Sequence, residues 1–209
     1  MNRRALGQKF ARVATTAVLR APRLWWVFRP LMRKQFDSIA GSWDTMRAPG
    51  HLAPFEHALD AVTPEPARVL DLGTGTGQAA FAVARRFPQA DVVGVDLAPA
   101  MLAEAERKTP ADIRDRVRFE RGDAGSLQFP DASFDLIAHA NMIPFLDEIA
   151  RVLRPGGQVI FAFSMGAGTP IYVPPDRLQD ELERRGFTDF AAIAAGDGTA
   201  LLARKARRS

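Results

Sequence analysis

The chain has 209 residues, 47% of them hydrophobic, which suits a single domain with a sizeable core. It has no cysteine, which excludes disulfide bonds, thiolate metal sites and cysteine nucleophiles. The net charge of +4 is uneven, because residues 1–36 hold nine Arg or Lys and no acid while the remainder is net acidic. Basicity therefore belongs to an N-terminal segment, the basic arm (residues 1–36), which argues against a nucleic-acid-binding groove.

Apolar residues recur at helical spacing in the first half of the basic arm and predict a helix. These residues are Leu6, Phe10, Val13 and Ala17. Pro22 interrupts the pattern, the apolar run 24–28 follows, and a second helix is predicted between Pro30 and Phe36.

Three roles of the basic arm remain open. It could pack on the body of the protein or on a second subunit in a homodimer. It could lie on an anionic membrane surface, with Trp25 and Trp26 at the level of the headgroups. It could also cap a substrate pocket. We expect a cytoplasmic protein, with peripheral membrane contact as the alternative.

After a predicted helix at 51–62, strands and helices alternate along the chain. Strands are predicted at 68–72, 91–96, 116–121, 133–139 and 158–163, and helices at 77–86, 99–108, 145–153 and 176–185. Two last strands, 187–195 and 199–204, form a hairpin through Gly196, Asp197 and Gly198. This alternation predicts an α/β fold, a doubly wound, seven-stranded, mostly parallel sheet with its last strand antiparallel. We divide the chain into a helical arm or lid, residues 1–60, and a core, residues 61–209.

The first predicted strand of the core ends in an acid and three glycines at alternate positions, Asp71, Gly73, Gly75 and Gly77. The dinucleotide fingerprint G-x-G-x-x-G would need a glycine where Gln78 stands. A carboxylate at Asp71 would repel a pyrophosphate but suits a ligand with a cationic amino group. The second strand ends in an acid where such folds bind a ribose.

Five successive stretches resemble the motifs of class I S-adenosylmethionine-dependent methyltransferases. They are residues 69–77, 94–102, 121–124, 134–137 and 151–157. The resemblance covers about residues 65–205. It implies a Rossmann-like fold in which the seventh strand inserts beside the fifth, and S-adenosylmethionine as the cofactor.

The resemblance also implies which residues bind the cofactor. They are Asp71, Gly73, Thr74, Gly75, Gly77, Asp96, Leu97, Met101, Asp123, Ala124 and Asn141. In that family the positions of Asp71 and the glycine turn hold the methionine part, and that of Asp96 holds the ribose hydroxyls. Leu97 and Met101 would flank the adenine, and Asp123 would accept from its amino group. No metal is predicted.

The substrate pocket is predicted from the segment before the core and from two loops. Its residues are Trp43, Arg47, Met142, Met165, Ile171 and Tyr172. Residues 36–44 resemble the segment that closes over the cofactor in many small-molecule methyltransferases. His139, at the end of the fourth strand, is the predicted general base if the acceptor must lose a proton. Residues 141–145 lack the Asn/Asp-Pro-Pro-aromatic signature of amino-group methylation.

The predicted function is methyl transfer from S-adenosylmethionine to a small, hydrophobic acceptor. A membrane-associated quinone or lipid methyltransferase is the first alternative. A non-catalytic module that binds the cofactor and serves a partner protein is the second.

Overall fold

The computed structural model describes residues 3–207, with side chains described for residue 9 and residues 11–207. Helix α1 (Arg3–Arg20) is followed by a 3-10 turn and by helix α2 (Trp25–Ile39). Helix α2 begins before Pro30 and continues through it, so the second helix starts earlier than predicted. Pro30 lies inside the helix, in its second turn, and has no N–H to donate to the carbonyl oxygen of Trp26.

The core elements lie within a few residues of their predicted positions. Their bounds are α3 (Ala53–Asp60), β1 (Arg68–Leu72), α4 (Gln78–Arg86), β2 (Asp91–Asp96), α5 (Pro99–Lys108), β3 (Val117–Arg121), β4 (Phe134–Ala140), α6 (Leu146–Val152), β5 (Leu153–Phe163), α7 (Pro175–Glu183), β6 (Phe187–Ala195) and β7 (Gly198–Lys205). Strand β5 begins earlier than predicted, because the turn at 155–157 forms an irregularity within the β4–β5 pairing.

The seven strands form one sheet in the order β3-β2-β1-β4-β5-β7-β6. Strands β1 to β5 pair in parallel, and β7 is antiparallel to both β5 and β6. The predicted architecture is thus confirmed, including the insertion of the last strand beside the fifth. The strand order reverses between β1 and β4, which is where such sheets bind ligands.

Apolar side chains cover both faces of the sheet. Phe55 of α3 and Val83 of α4 pack on one face against Leu136 and Ile160. Ile149 of α6 and Leu182 of α7 belong to a second cluster on the other face. Helix α3 therefore packs as part of the core, although it belongs to the segment 1–60 that we assigned to the arm.

Helices α1 and α2 pack on the body through a smaller cluster. Ala14, Val18 and Met32 are buried there against Ile143 and Phe145. The predicted apolar face of the first helix is partly wrong, because Val13 is 60% exposed and the buried face is one residue further on. The side chains of Leu6 and Phe10 lie outside the described residues. None of the described helices is long and apolar enough to cross a membrane.

Candidate functional site

A cavity of about 1110 Å³, including its open mouth, lies at the carboxyl edge of the parallel strands. One wall is formed by the ends of β1, β2 and β4 and by the loop after β3, and we call it the strand-end wall. The other, the arm wall, comes from α2 and the turns up to Leu52. In sheets of this kind, ligands bind at this edge.

The glycine turn after β1 gives the strand-end wall its bare backbone. Gly73, Gly75 and Gly77 all have positive φ, at 66°, 54° and 86°. A Cβ on Gly73 would lie 2.8 Å from the Cγ of Met142, and one on Gly77 would lie 2.7 Å from the Phe81 ring. Only glycine fits such positions without strain. Gly73 and Gly75 line the cavity, whereas Gly77 caps the N-terminus of α4 outside the lining.

Asp71 is the most buried carboxyl group of this wall, with 1% of the residue exposed. The hydroxyl of Thr74 donates a hydrogen bond to its Oδ2 at 2.6 Å. Burial raises the pKa of Asp71 to about 7, and the bond from Thr74 offsets only part of this rise. A cationic ligand group beside Asp71 would favour the ionised form.

Asp96 is the last residue of β2, and its carboxylate accepts hydrogen bonds from two backbone N–H groups. Gly75 donates to its Oδ2 and Ala98 to its Oδ1, both at 2.9 Å. Burial raises its pKa, and these backbone bonds counteract the rise. Each carboxylate oxygen has a second lone pair, so Asp96 can still accept from two further donors in the cavity.

Asp123, after β3, is held by side chains from the arm wall, a contact that the sequence did not predict. The indole Nε1 of Trp25 donates to Oδ1 at 2.7 Å, and Nη1 of Arg29 donates to Oδ2 at 3.0 Å. Trp25 also packs edge-on against Phe145, with ring centroids 5.1 Å apart. Helix α2 thus closes over the carboxylate that the sequence assigned to adenine.

Asn141 follows β4 with a positive φ of 54°. Its Nδ2 donates to Ser164 Oγ at 2.6 Å, and its Oδ1 accepts from the Ser164 backbone N–H at 2.9 Å. These two bonds fix the bend that brings the side chain of Met142 over Gly73. Asn141 therefore shapes the wall, and beyond its bonds with Ser164 its amide keeps one N–H and one carbonyl lone pair.

Arg47, which stacks on Trp43, places a positive charge in the arm wall. The Arg47 guanidinium carbon lies 3.9 Å from the centroid of a Trp43 ring. Burial lowers the pKa of Arg47, and Asp44 offsets only part of this effect. Asp44 itself is bonded to Thr76 Oγ1 at 2.6 Å and to Lys108 Nζ at 2.8 Å, which ties the segment to the glycine turn.

Most predicted site residues line the one cavity. Those that do are Trp43, Arg47, Asp71, Gly73, Thr74, Gly75, Asp96, Leu97, Met101, Asp123, Ala124, Asn141, Met142 and Ile171. The prediction that Met165 and Tyr172 line it is corrected, because Met165 is 49% exposed and Tyr172 packs against Phe163.

The prediction of His139 as a general base is also corrected by its position. Its side chain is fully buried beside Phe161 and does not line the cavity. Burial lowers the pKa of His139 to about 4, and the backbone near Ile143 offsets this only in part. A base must reach the proton that it removes, and this ring cannot.

His51, which the sequence did not single out, is instead a histidine of the cavity wall. Its Nδ1 lies 3.1 Å from the carbonyl oxygen of Ala48, so the tautomer with Nδ1 protonated leaves Nε2 free to accept a proton. Burial lowers the pKa of His51, which favours the neutral ring.

Comparisons with known proteins agree with this geometry. Residues 69–157 match a family described as a methyltransferase domain. The chain is 42% identical over 110 residues to a demethylmenaquinone methyltransferase of Deinococcus radiodurans, covering 49% of this chain and 45% of the relative. It is 38% identical over 143 residues to the malonyl-[acyl-carrier protein] O-methyltransferase of Halorhodospira halophila, covering 64% and 48%. The chain spans about half the length of these curated relatives.

A solved structure, a SAM-dependent methyltransferase from Aquifex aeolicus, has the same fold. It superposes with a TM-score of 0.64 at 19% identity and covers 79% of this chain and 97% of that one. The sheet order, the glycine turn and the sequence matches point to the same family. Residues 69–157 match the methyltransferase domain family, and the chain has the fold of the class I S-adenosylmethionine-dependent methyltransferases.

Proposed function

We propose that the cavity binds S-adenosylmethionine and that the protein transfers its methyl group to a small acceptor. The observation that carries this proposal is the convergence of three carboxylates, Asp71, Asp96 and Asp123, on one cavity beside a glycine turn. Each lies at or just after the carboxyl end of a different parallel strand, as expected at the edge where such sheets bind nucleosides.

The free lone pairs of these carboxylates suit the donors of the cofactor. Asp96 would accept both ribose hydroxyls in addition to its two backbone N–H groups. Asp123 would accept from the adenine amino group while its two oxygens keep their bonds to Trp25 and Arg29. Leu97 and Met101 supply the apolar contact with the adenine ring.

The methionine part of the cofactor is zwitterionic, and the cavity offers one charge of each sign for it. Asp71, ionised by a nearby cation, suits the ammonium group. Arg47 is a cavity-lining cation available to the carboxylate, because no ion pair within 4.0 Å engages it among the described residues. We therefore move Arg47 from the acceptor pocket to the cofactor site in this proposal.

Methyl transfer from a sulfonium is an in-line displacement in which the positive charge on sulfur disperses. The bond from methyl to sulfur breaks as the bond to the acceptor atom forms, and S-adenosylhomocysteine leaves. Alignment of the two reactants and exclusion of water supply most of the rate. If the acceptor must lose a proton, Nε2 of His51 is the proposed base.

The rest of the cavity supports a hydrophobic acceptor. Its lining beyond the proposed cofactor contacts is mainly apolar: Met32, Phe36, Met142, Ile143, Phe145 and Ile171. Relatives are named for quinone and for carboxylate acceptors, and the apolar lining favours a quinone-like or lipid-like molecule over a small polyanion. We propose a cytoplasmic enzyme that meets such an acceptor in solution or, as the second candidate, at a membrane surface.

The test is an activity screen. The purified chain would be incubated with S-adenosylmethionine and fractionated metabolite extracts, and S-adenosylhomocysteine would be followed by mass spectrometry. We expect release of S-adenosylhomocysteine with apolar fractions and a loss of activity in Asp96→Ala. A chain that binds the cofactor but methylates nothing in polar or apolar fractions would contradict catalysis and favour a cofactor-binding partner module.

A further inference from the structure

The outer face of the basic arm exposes a stripe of large apolar side chains, which we call the outer stripe. It consists of Leu24, Trp26, Val27 and Leu31, exposed by 40%, 72%, 52% and 53%. Val27 and Leu31 are one helical turn apart on α2, so they share its solvent face. Soluble surfaces expose single apolar residues, but neighbouring ones with an exposed tryptophan mark an interaction surface.

The opposite face of α2 already has its partner. Met32 is buried in the cluster with Ile143 and Phe145, and Phe36 packs at its edge. The outer stripe is therefore not the face that holds the arm on the body. Its apolar side chains need a separate explanation.

Basic side chains are exposed along the same arm as the outer stripe. The exposed ones are Lys9, Arg12, Arg20, Arg23, Arg29, Arg33 and Lys34, and residues 1–36 contain no acid. Among the described residues, Arg29 with Asp123 is the one ion pair that this set forms within 4.0 Å. The other six charges have no carboxylate partner within 4.0 Å in the part of the chain that the structure describes, so the surface is complementary to an anionic one.

We propose that the outer stripe and these basic side chains bind the surface of an anionic lipid bilayer. Trp26, Val27 and Leu31 would enter the headgroup region, and the lysines and arginines would contact lipid phosphates. A nucleic acid would match the charges but leave the apolar stripe in water. A second copy of the chain would place two basic surfaces face to face, which repels.

Docking would also orient the cavity. Arg33 is exposed and at the same time lines the cavity, and Trp25, Met32 and Phe36 form its arm wall. The bound bilayer would thus lie against the outer side of the helix that forms the arm wall, and an apolar acceptor from the lipid would pass along this helix to the cavity. This last consequence rests on the proposed function, whereas the docking itself does not.

Vesicle co-sedimentation of the full chain tests the proposal without any acceptor. Vesicles of phosphatidylcholine alone are compared with vesicles that contain one third phosphatidylglycerol. We expect binding to the anionic vesicles only, weakening as salt screens the charges. The double variant Trp26→Ser, Leu31→Ser should have a partition coefficient onto anionic vesicles at least tenfold below that of the wild type. The double variant Arg23→Gln, Lys34→Gln should have one about tenfold lower.

Matched controls replace exposed residues elsewhere on the chain. Met165→Ser removes an exposed apolar side chain, and Arg85→Gln, Arg177→Gln removes two exposed charges. All variants alter exposed side chains, so equal melting temperatures and S-adenosylhomocysteine affinities verify the fold and separate this test from that of the proposed function. Three results would overturn the proposal. The wild type could fail to bind anionic vesicles, or the control variants could lose as much vesicle binding as the arm variants. The wild type could also be a dimer that dissociates into monomers in the Trp26→Ser, Leu31→Ser variant.

Discussion

The two walls of the cavity are built by different means. In the strand-end wall, local sequence sets the geometry: strand, glycine turn and helix follow each other within residues 68–86. In the arm wall, contacts between distant segments set it, such as the bond from Trp25 to Asp123 across 98 positions. The comparison teaches that the strand-end wall lies within or beside the residues that match the methyltransferase family, 69–157, whereas the α2 side of the arm wall lies outside that match.

The largest effect should come from the ribose carboxylate of the strand-end wall. Asp96→Ala should weaken S-adenosylhomocysteine binding by about 1–3 kcal/mol, because charged hydrogen bonds to the ligand and to the glycine turn are lost. Calorimetry would measure this change. Asp91→Ala, at the exposed start of the same strand, is the control and should bind as the wild type does. Equal binding by both variants would contradict the ribose assignment.

Asp71 should make cofactor binding depend on pH. Burial raises its pKa to about 7, so the carboxyl group is protonated in the free protein below that pH and cannot pair with the ligand's ammonium group. S-Adenosylhomocysteine affinity should therefore fall by up to about tenfold per pH unit below about 7. Titrations between pH 5.5 and 7.5 would measure this fall, and Asp71→Asn should bind weakly with a flat profile over the same range. A sloped profile in Asp71→Asn would assign the dependence to another group.

Much of the strand-end wall could be predicted because its signals are local. A glycine that permits the positive φ at position 73, and an acid at the end of a strand, can each be recognised in a single short stretch of sequence. The orientation of side chains in a strand was harder, since His139 and Asn141 both lie near the end of β4 but only Asn141 reaches the cavity. In the arm wall, Trp43 and Arg47 were predicted and do line the cavity, whereas no local pattern links Trp25 to Asp123 or indicates that His51 lies in the wall.

His139 should affect stability rather than chemistry. Its pKa is lowered to about 4 by burial, so the unfolded chain binds an extra proton between pH 4 and about 6.5. That difference removes about 1.4 kcal/mol of stability per pH unit as the pH falls through this window. His139→Leu lacks this loss, and its stability relative to the wild type should rise toward pH 4 in denaturant titrations. A pH-independent difference between the two proteins would contradict a buried, neutral His139.

A smaller effect should follow from loosening the arm wall. Trp25→Phe keeps a ring against Phe145 but removes the donor to Asp123, and we expect S-adenosylhomocysteine to bind about 1 kcal/mol more weakly. Trp26→Phe changes an exposed ring one position away and serves as the control in the same calorimetric titration. If the two variants bind equally well, the arm covers the site without contributing to it.

The most direct test of the central claim is a calorimetric titration of the wild-type chain with S-adenosylhomocysteine and, separately, with NAD. In the proposal, the three carboxylates of the strand-end wall accept from an ammonium group, a ribose and an adenine, and the carboxylate of Asp71 disfavours a pyrophosphate. We predict one S-adenosylhomocysteine bound per chain and no measurable NAD binding at the same concentrations. Tighter binding of NAD, or no binding of S-adenosylhomocysteine, would contradict the assignment of the cavity.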